Sequence, residues 1–255
     1  MSEAVRLERD GRLATLILDR PPLNILDLAT LQKLGDTVAE LTTDDELQLL
    51  VLRSASPRAF SAGVAVDDHV AERIAEMLTR FHAALERLRA LPALTLAAVQ
   101  GYCLGGGLEL AAACDLVLAE EDARLGQPEV KLGCFPPYAA ALYPRRIGPG
   151  AALDLLVTGR ELDGREAARI GMVQRLAPAG QFEAGLERLT GELLAASRPV
   201  ARLIKRAVRA GEEESHGQAV AECERLYLQE LTRIEDMEEG LMAFRQKRPP
   251  SWRHR

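Results

Sequence analysis

No uninterrupted apolar stretch in the 255 residues approaches the roughly 18 that a bilayer span needs. The opening Met-Ser-Glu-Ala-Val-Arg-Leu-Glu-Arg-Asp is charged where a signal peptide would be apolar, so the expectation is an unprocessed, soluble protein. Cysteine is sparse. Cys103, Cys114, Cys134 and Cys223 lie far apart, form no Cys-x-x-Cys pair and stand at no metal-ligand interval from a histidine. Reduced thiols in the cytoplasm follow as the expectation, with no metal implied. Positive charge is in deficit too: 32 Lys and Arg against 38 Asp and Glu leave a net charge of −6, which gives no general attraction to nucleic acid or to anionic membranes. Low-complexity linkers and internal repeats are missing as well.

What is present is ample apolar material for one large domain, or for a core with a smaller appendage. Val5 to Leu18 alternates around Asp10-Gly11 and reads as a β-hairpin ended by Asp19-Arg20-Pro21-Pro22. Leu28 to Leu41 has helical spacing, and Leu47 to Leu52 is a short apolar strand. After a loop from Ser54 to Gly63, an amphipathic helix runs from about Ala71 to Ala90, where Pro92 stops it. Leu94 to Val99 and Leu116 to Ala119 read as strands, Gly101 to Gly107 as a tight loop, and Leu108 to Cys114 and Ala139 to Arg145 as helices. Strand-loop-helix repetition argues for an α/β core with parallel pairing. Beyond Gly180 only helices are expected: Phe182 to Ala196, Pro199 to Ala210 and Gly217 to Arg245.

Two carboxylates stand in unusual backbone surroundings. Glu109 closes Gly105-Gly106-Gly107-Leu108-Glu109, and Glu129 closes Gly126-Gln127-Pro128-Glu129. A helix beginning after the glycines would aim free N–H groups and its positive dipole end at whatever lies above them. Phosphate is the obvious guest, but the stretch lacks both the Gly-Lys-Ser/Thr ending of a P-loop and the Gly-x-Gly-x-x-Gly spacing. An oxyanion would need a second donor, for which Phe60-Ser61-Ala62-Gly63-Val64 is the candidate. Taken alone, a tight turn followed by surface acids remains an equally simple reading.

Phe60-Ser61-Ala62-Gly63, Ala98-Val99-Gln100-Gly101, Gly105-Gly106-Gly107-Leu108-Glu109-Leu110, Cys114-Asp115 and Gly126-Gln127-Pro128-Glu129 resemble, in order and spacing, the enoyl-CoA hydratase/isomerase (crotonase) superfamily. With Arg20-Pro21 through Asn24 and Phe244-x-x-Lys247-Arg248, the likeness covers nearly the whole chain. It implies an α/β spiral of ββα turns over residues 1–195 and a helical region over 196–255 for oligomer contacts and closure over CoA, assembled as a homotrimer or homohexamer. It also implies an acyl-CoA thioester substrate, with coenzyme A as part of that substrate and no permanent cofactor. Val64 and Gly106 N–H would form the oxyanion hole, and Ala62, Gly63 and Gly105 would flank the substrate. Glu109 would act as base and Glu129 as acid, either being able to take both roles.

Two departures resemble a subfamily, the cyclohexa-1,5-diene-1-carbonyl-CoA hydratases. Gly133-Cys134-Phe135-Pro136-Pro137-Tyr138 replaces a segment of small residues, and the aspartate near the oxyanion-hole residue is displaced to Asp67. Phe135, Pro136 and Asp67 thereby become substrate-contact candidates. His69 and Tyr138 join them, although a solvated helix-start histidine and a half-buried aromatic are equally simple readings. Phe244, Lys247 and Arg248 are candidates for CoA contact, against a solvated basic tail. An isomerase, which needs one carboxylate rather than two, and an RNA-binding relative are the alternatives.

Overall fold

The computed structural model describes residues 3–255. Asp10 and Gly11 turn the chain between β1 (Val5–Asp10) and β2 (Leu13–Leu18), and Asp10 pairs with Leu13 across the hairpin. β3 (Leu49–Ser54) pairs parallel with β2 after α1 (Leu28–Leu41), and β5 (Leu94–Val99), β7 (Leu116–Glu120) and β10 (Arg175–Ala177) complete a six-stranded sheet in the order β1-β2-β3-β5-β7-β10. Pairing is parallel from β5 to β7 and from β7 to β10, and β2, β3, β5 and β7 are near-continuous apolar runs because both faces are covered. The parallel α/β expectation therefore holds.

A second sheet was not legible in the sequence. Its strands, β4 (Ala59–Ser61), β6 (Tyr102–Leu104), β8 (Arg124–Gly126) and β9 (Glu161–Asp163), have three residues each. They are too short for periodicity to register, and two of them lie in stretches read as loops. This sheet sets the site: β4 leads into Ala62–Val64, β6 into the glycines, and β8 into Gln127-Pro128-Glu129.

α2 (Ile74–Ala90) begins three residues later than expected, after a turn. α3 (Gly106–Ala113) is buried at all eight positions, which its small residues permit. The approach is tight: a methyl on Gly107 would lie 2.3 Å from Ser61 O. α4 (Pro137–Ile147) opens with Pro137 at its first position, where the missing N–H costs nothing. α5 (Pro149–Thr158) and α6 (Gly164–Arg169) were not foreseen.

By packing, the described chain divides into one unit of residues 3–91 and 95–189 and a second of 92–94 and 190–255, the boundary falling within α7 (Phe182–Leu194). The second unit holds α8 (Arg198–Glu213), α9 (His216–Gln229) and α10 (Glu235–Gln246). The single helix expected over 217–245 is thus broken by the turn Leu231–Arg233. The C-terminal tail is pinned within this unit: Asp236 accepts from Ser197 Oγ (2.6 Å) and Arg253 N (2.7 Å), and Trp252 Nε1 donates to Ala195 O (2.8 Å). Among the described residues no helix is long and apolar enough to cross a membrane.

Candidate active site

The segment after β4 is held by a ring of backbone bonds. Ala62 N donates to Leu23 O (2.9 Å), Leu26 N to Gly63 O (2.9 Å) and Ala65 N to Leu26 O (3.1 Å). Gly63 N donates to Ser61 Oγ (3.1 Å), which in turn donates to Asn24 O (2.7 Å). Asn24 is buried at φ 51° and ties the ring together: its Nδ2 donates to Ala59 O, Phe60 O and Ser54 Oγ, and its Oδ1 accepts from Arg20 N. The amides of residues 62, 63 and 65 are spoken for. That of Val64 has no acceptor among the described residues.

Gly106 is the first residue of α3, so its N–H has no partner in the helix, and none elsewhere among the described residues. Gly105, at φ 53° and ψ −129°, makes the turn that aims it, a conformation only glycine adopts readily. The two free amides are neighbours: a Cβ built on Gly106 would lie 3.3 Å from Val64 N. Both residues line one cleft of about 640 Å³ with Glu109 and Glu129.

Glu109 lies one turn into α3, 4% exposed, and its Oε1 accepts the Ala139 N–H from the start of α4 (2.9 Å). Glu129 rides the 3₁₀ turn Pro128–Leu132, which Pro128 starts and a left-handed Gly133 ends. Its carboxyl rests against Gly105, where an added methyl would lie 2.7 Å from Oε1, and Oε2 is buried with no hydrogen-bond partner among the described residues. Burial pushes Glu109 up to about 8, the Ala139 N–H works against this, and the charge of Glu129 adds to it. Glu129 is also raised by burial, but its own backbone amide and the nearby His69 oppose the rise. The charge of Glu129 thus favours the neutral form of Glu109. Glu109 sits on a helix buried along its length, Glu129 on a half-buried turn.

Ala62, Gly63, Gly105, Pro136 and the 68% exposed Phe135 all line the cleft. Ile74, Met77, Leu78, Phe81 and Leu132 are among the residues of its apolar wall. His69 lines it too, with Nδ1–H donating to Ala65 O (2.9 Å). Tyr138 does not reach the lining. Its ring packs against that of His82, at 5.6 Å between centroids. Asp67 corrects the sequence expectation: the turn Val66–Asp68 carries it out to solvent and sends Asp68 inward instead, to accept from Leu28 N and pair with Arg73. Neither aspartate lines the cleft.

In the second unit Phe244 is 84% exposed and Lys247 caps α10, its side chain without a partner among the described residues. Arg248, by contrast, is held bidentately by Glu239 (2.6 and 2.9 Å). Sequence reasoning missed the Ala139 N–H, because a main-chain donor leaves no mark on residue choice, and it missed the bracing role of Asn24. Only the position of Asn24, just after a proline pair and before the first helix, hinted at a fixed turn.

Comparison with known proteins agrees with this geometry. The family described as enoyl-CoA hydratase/isomerase matches residues 8–255, and the chain belongs to it. The cyclohexa-1,5-dienecarbonyl-CoA hydratase of Thauera aromatica is 39% identical with 100% of both chains covered, and the crotonyl-CoA hydratase of Syntrophomonas wolfei is 32% identical over 96% of each. The crystal structure of an enoyl-CoA hydratase from Bacillus anthracis superposes with a TM-score of 0.93 at 27% identity, covering 99% of this chain and 100% of that one. The crotonase-type α/β fold expected from the sequence is the fold observed. The chain is an enzyme, a hydro-lyase of the enoyl-CoA hydratase type.

Proposed function

We propose that this enzyme adds water to a conjugated cyclic acyl-CoA thioester, cyclohexa-1,5-diene-1-carbonyl-CoA, giving 6-hydroxycyclohex-1-ene-1-carbonyl-CoA. The observation that carries the chemistry is the meeting of two acceptor-free amides, Val64 and Gly106, with two carboxyls in one cleft. The thioester oxygen sits between the amides as an oxyanion hole, where each donor contributes about 3 kcal/mol as negative charge grows on that oxygen. Polarisation makes the conjugated carbon electrophilic. The ionised member of the pair takes a proton from water as the oxygen attacks, and the neutral member delivers its proton to the enolate carbon. Glu109 is assigned as the base and Glu129 as the acid, either being able to take both parts, and the reverse reaction exchanges their roles.

The cyclic substrate is favoured by the likeness to the Thauera relative and by the bulky Phe135-Pro136-Pro137 edge of the cleft, set against an apolar wall from α2. A hydratase of linear enoyl-CoA is the second reading, supported by the Syntrophomonas relative. Parallel assays of purified protein with the cyclic dienoyl-CoA and with crotonyl-CoA decide between them: a clear preference for the linear substrate removes the cyclic one. Two matched carboxyls argue for hydration over isomerisation.

Coenzyme A enters only as part of the substrate, and its contacts are assigned to Phe244 and Lys247, the Arg248 guanidinium being occupied by Glu239. A cytoplasmic homotrimer or homohexamer is the assembly we propose. Its contacts would fall to the second unit, where Ile204, Val208, Leu228 and Leu241 are exposed apolar side chains without cover in the single chain.

A further inference from the structure

Ser61 ends β4, is 0% exposed and takes no part in the hydration steps described above. Its hydroxyl works in both directions, donating to Asn24 O (2.7 Å) and accepting from Gly63 N (3.1 Å). Its main chain is engaged as well. A methyl on Gly107 would lie 2.3 Å from Ser61 O and 2.9 Å from Ser61 Cβ, so the start of α3 is seated directly against this residue. Gly63 precedes Val64 and Gly107 follows Gly106. One buried serine therefore touches the chain beside each of the two amides that have no acceptor among the described residues.

Gly63 explains why such a contact is needed. A side chain there would meet Leu104 O at 3.0 Å and Gly106 N at 3.3 Å, and its φ of 102° lies where residues with a Cβ are strained. Glycine is required, and it brings a freedom in φ and ψ that the site has to remove. Two hydrogen bonds remove it. Gly63 N is held by Ser61 Oγ, and Gly63 O accepts from Leu26 N (2.9 Å). In a trans peptide the N–H points opposite to the C=O before it, so a Gly63 carbonyl turned toward Leu26 turns the Val64 N–H away from it.

We propose that Ser61 is a positioning residue for the oxyanion hole: by holding the Gly63 N–H, its hydroxyl keeps the Val64 amide aimed at the thioester oxygen. The inference rests on the proposed hydration chemistry and names a residue that chemistry did not use. Alanine would fill nearly the same space, but it would leave the Gly63 N–H and Asn24 O without this partner in a place shut off from water. A buried N–H that loses its acceptor turns toward another, and a glycine turns easily. The Val64 amide, one peptide further on, turns with it.

The test is Ser61→Ala, read by isotope-edited infrared spectroscopy of a bound acyl-CoA that carries ¹³C at the thioester carbonyl. The displacement of that band should shrink in Ser61→Ala, though by less than in Gly106→Ala, because a donor that is misaimed costs less than one that is removed. The kcat should fall about tenfold with KM within about twofold, the mark of an interaction made in the transition state. An unmoved band or an unchanged kcat in a folded variant overturns the proposal and leaves the hydroxyl as a strand-end bond. A variant that does not fold overturns it equally, because the hydroxyl would then be holding the fold. The two readings fail separately: no displacement in the native enzyme, or an equal one in Gly106→Ala, would sink the oxyanion hole itself, whereas a displacement lost in Gly106→Ala but kept in Ser61→Ala sinks this inference alone.

Discussion

Val64 and Gly106 approach so closely that a methyl group on Gly106 would lie 2.7 Å from Val64 Cγ2 and 3.3 Å from Val64 N. The glycine is therefore a condition for two amides to share one target. Gly106→Ala should push Val64 and Phe81, whose Cζ would be 3.2 Å away, off their positions. We expect kcat to fall about 10²- to 10³-fold, the loss associated with one oxyanion donor, while circular dichroism keeps its native form.

Glu109→Gln and Glu129→Gln should each lower hydration by about 10²-fold or more, because a side-chain amide neither accepts nor supplies the transferred proton. Calorimetric binding of a saturated acyl-CoA should stay within a few-fold of the parent. Normal turnover in either variant would exclude the paired mechanism.

Stability should record the same buried carboxyl. The folded-state value of Glu109 is raised from 4.5 to about 8, so below 4.5 the group is neutral in both states and costs nothing. As pH rises from there the unfolded chain releases its proton first, and stability falls until about 8, where the folded group ionises too. Glu109→Gln should therefore melt higher than the parent at about pH 8, and the gap should shrink toward about pH 5. An equal gap at both pH values would contradict the assignment.

The tail offers a sharper contrast than its sequence suggests. Arg248 is tied to Glu239, which hydrogen bonds from Arg248 and from the Ser251 N–H hold down at about 2, whereas the Lys247 side chain has no partner among the described residues. Lys247→Ala should weaken CoA binding, more at low salt than at high salt, and Arg248→Ala should change it little. Equal losses in both variants would show that the Glu239 pair opens on binding.

Five strands of the large sheet and the helices α1 and α2 were legible because their apolar runs are long and uniform, as in Leu94 to Val99 and Leu28 to Leu41, whereas the three-residue β10 was not. Gly105 through Glu109 and Pro128-Glu129 announced the site through residues whose backbone demands are unusual. The three-residue strands that bring those segments together were invisible, since a strand of that length has no period to read. Asp67 failed for a related reason: within one 3₁₀ turn adjacent side chains point in different directions, and spacing alone could not tell Asp67 from Asp68. The break at Leu231–Arg233 has no proline or glycine to mark it.

Isotope-edited infrared spectroscopy of a bound acyl-CoA labelled with ¹³C at the thioester carbonyl tests the central claim most directly. In the native enzyme the carbonyl band should move to lower frequency on binding, and the displacement should be largely lost in Gly106→Ala. A bound carbonyl vibrating as it does in water, or one displaced equally in both proteins, would contradict a thioester oxygen held by the Val64 and Gly106 amides.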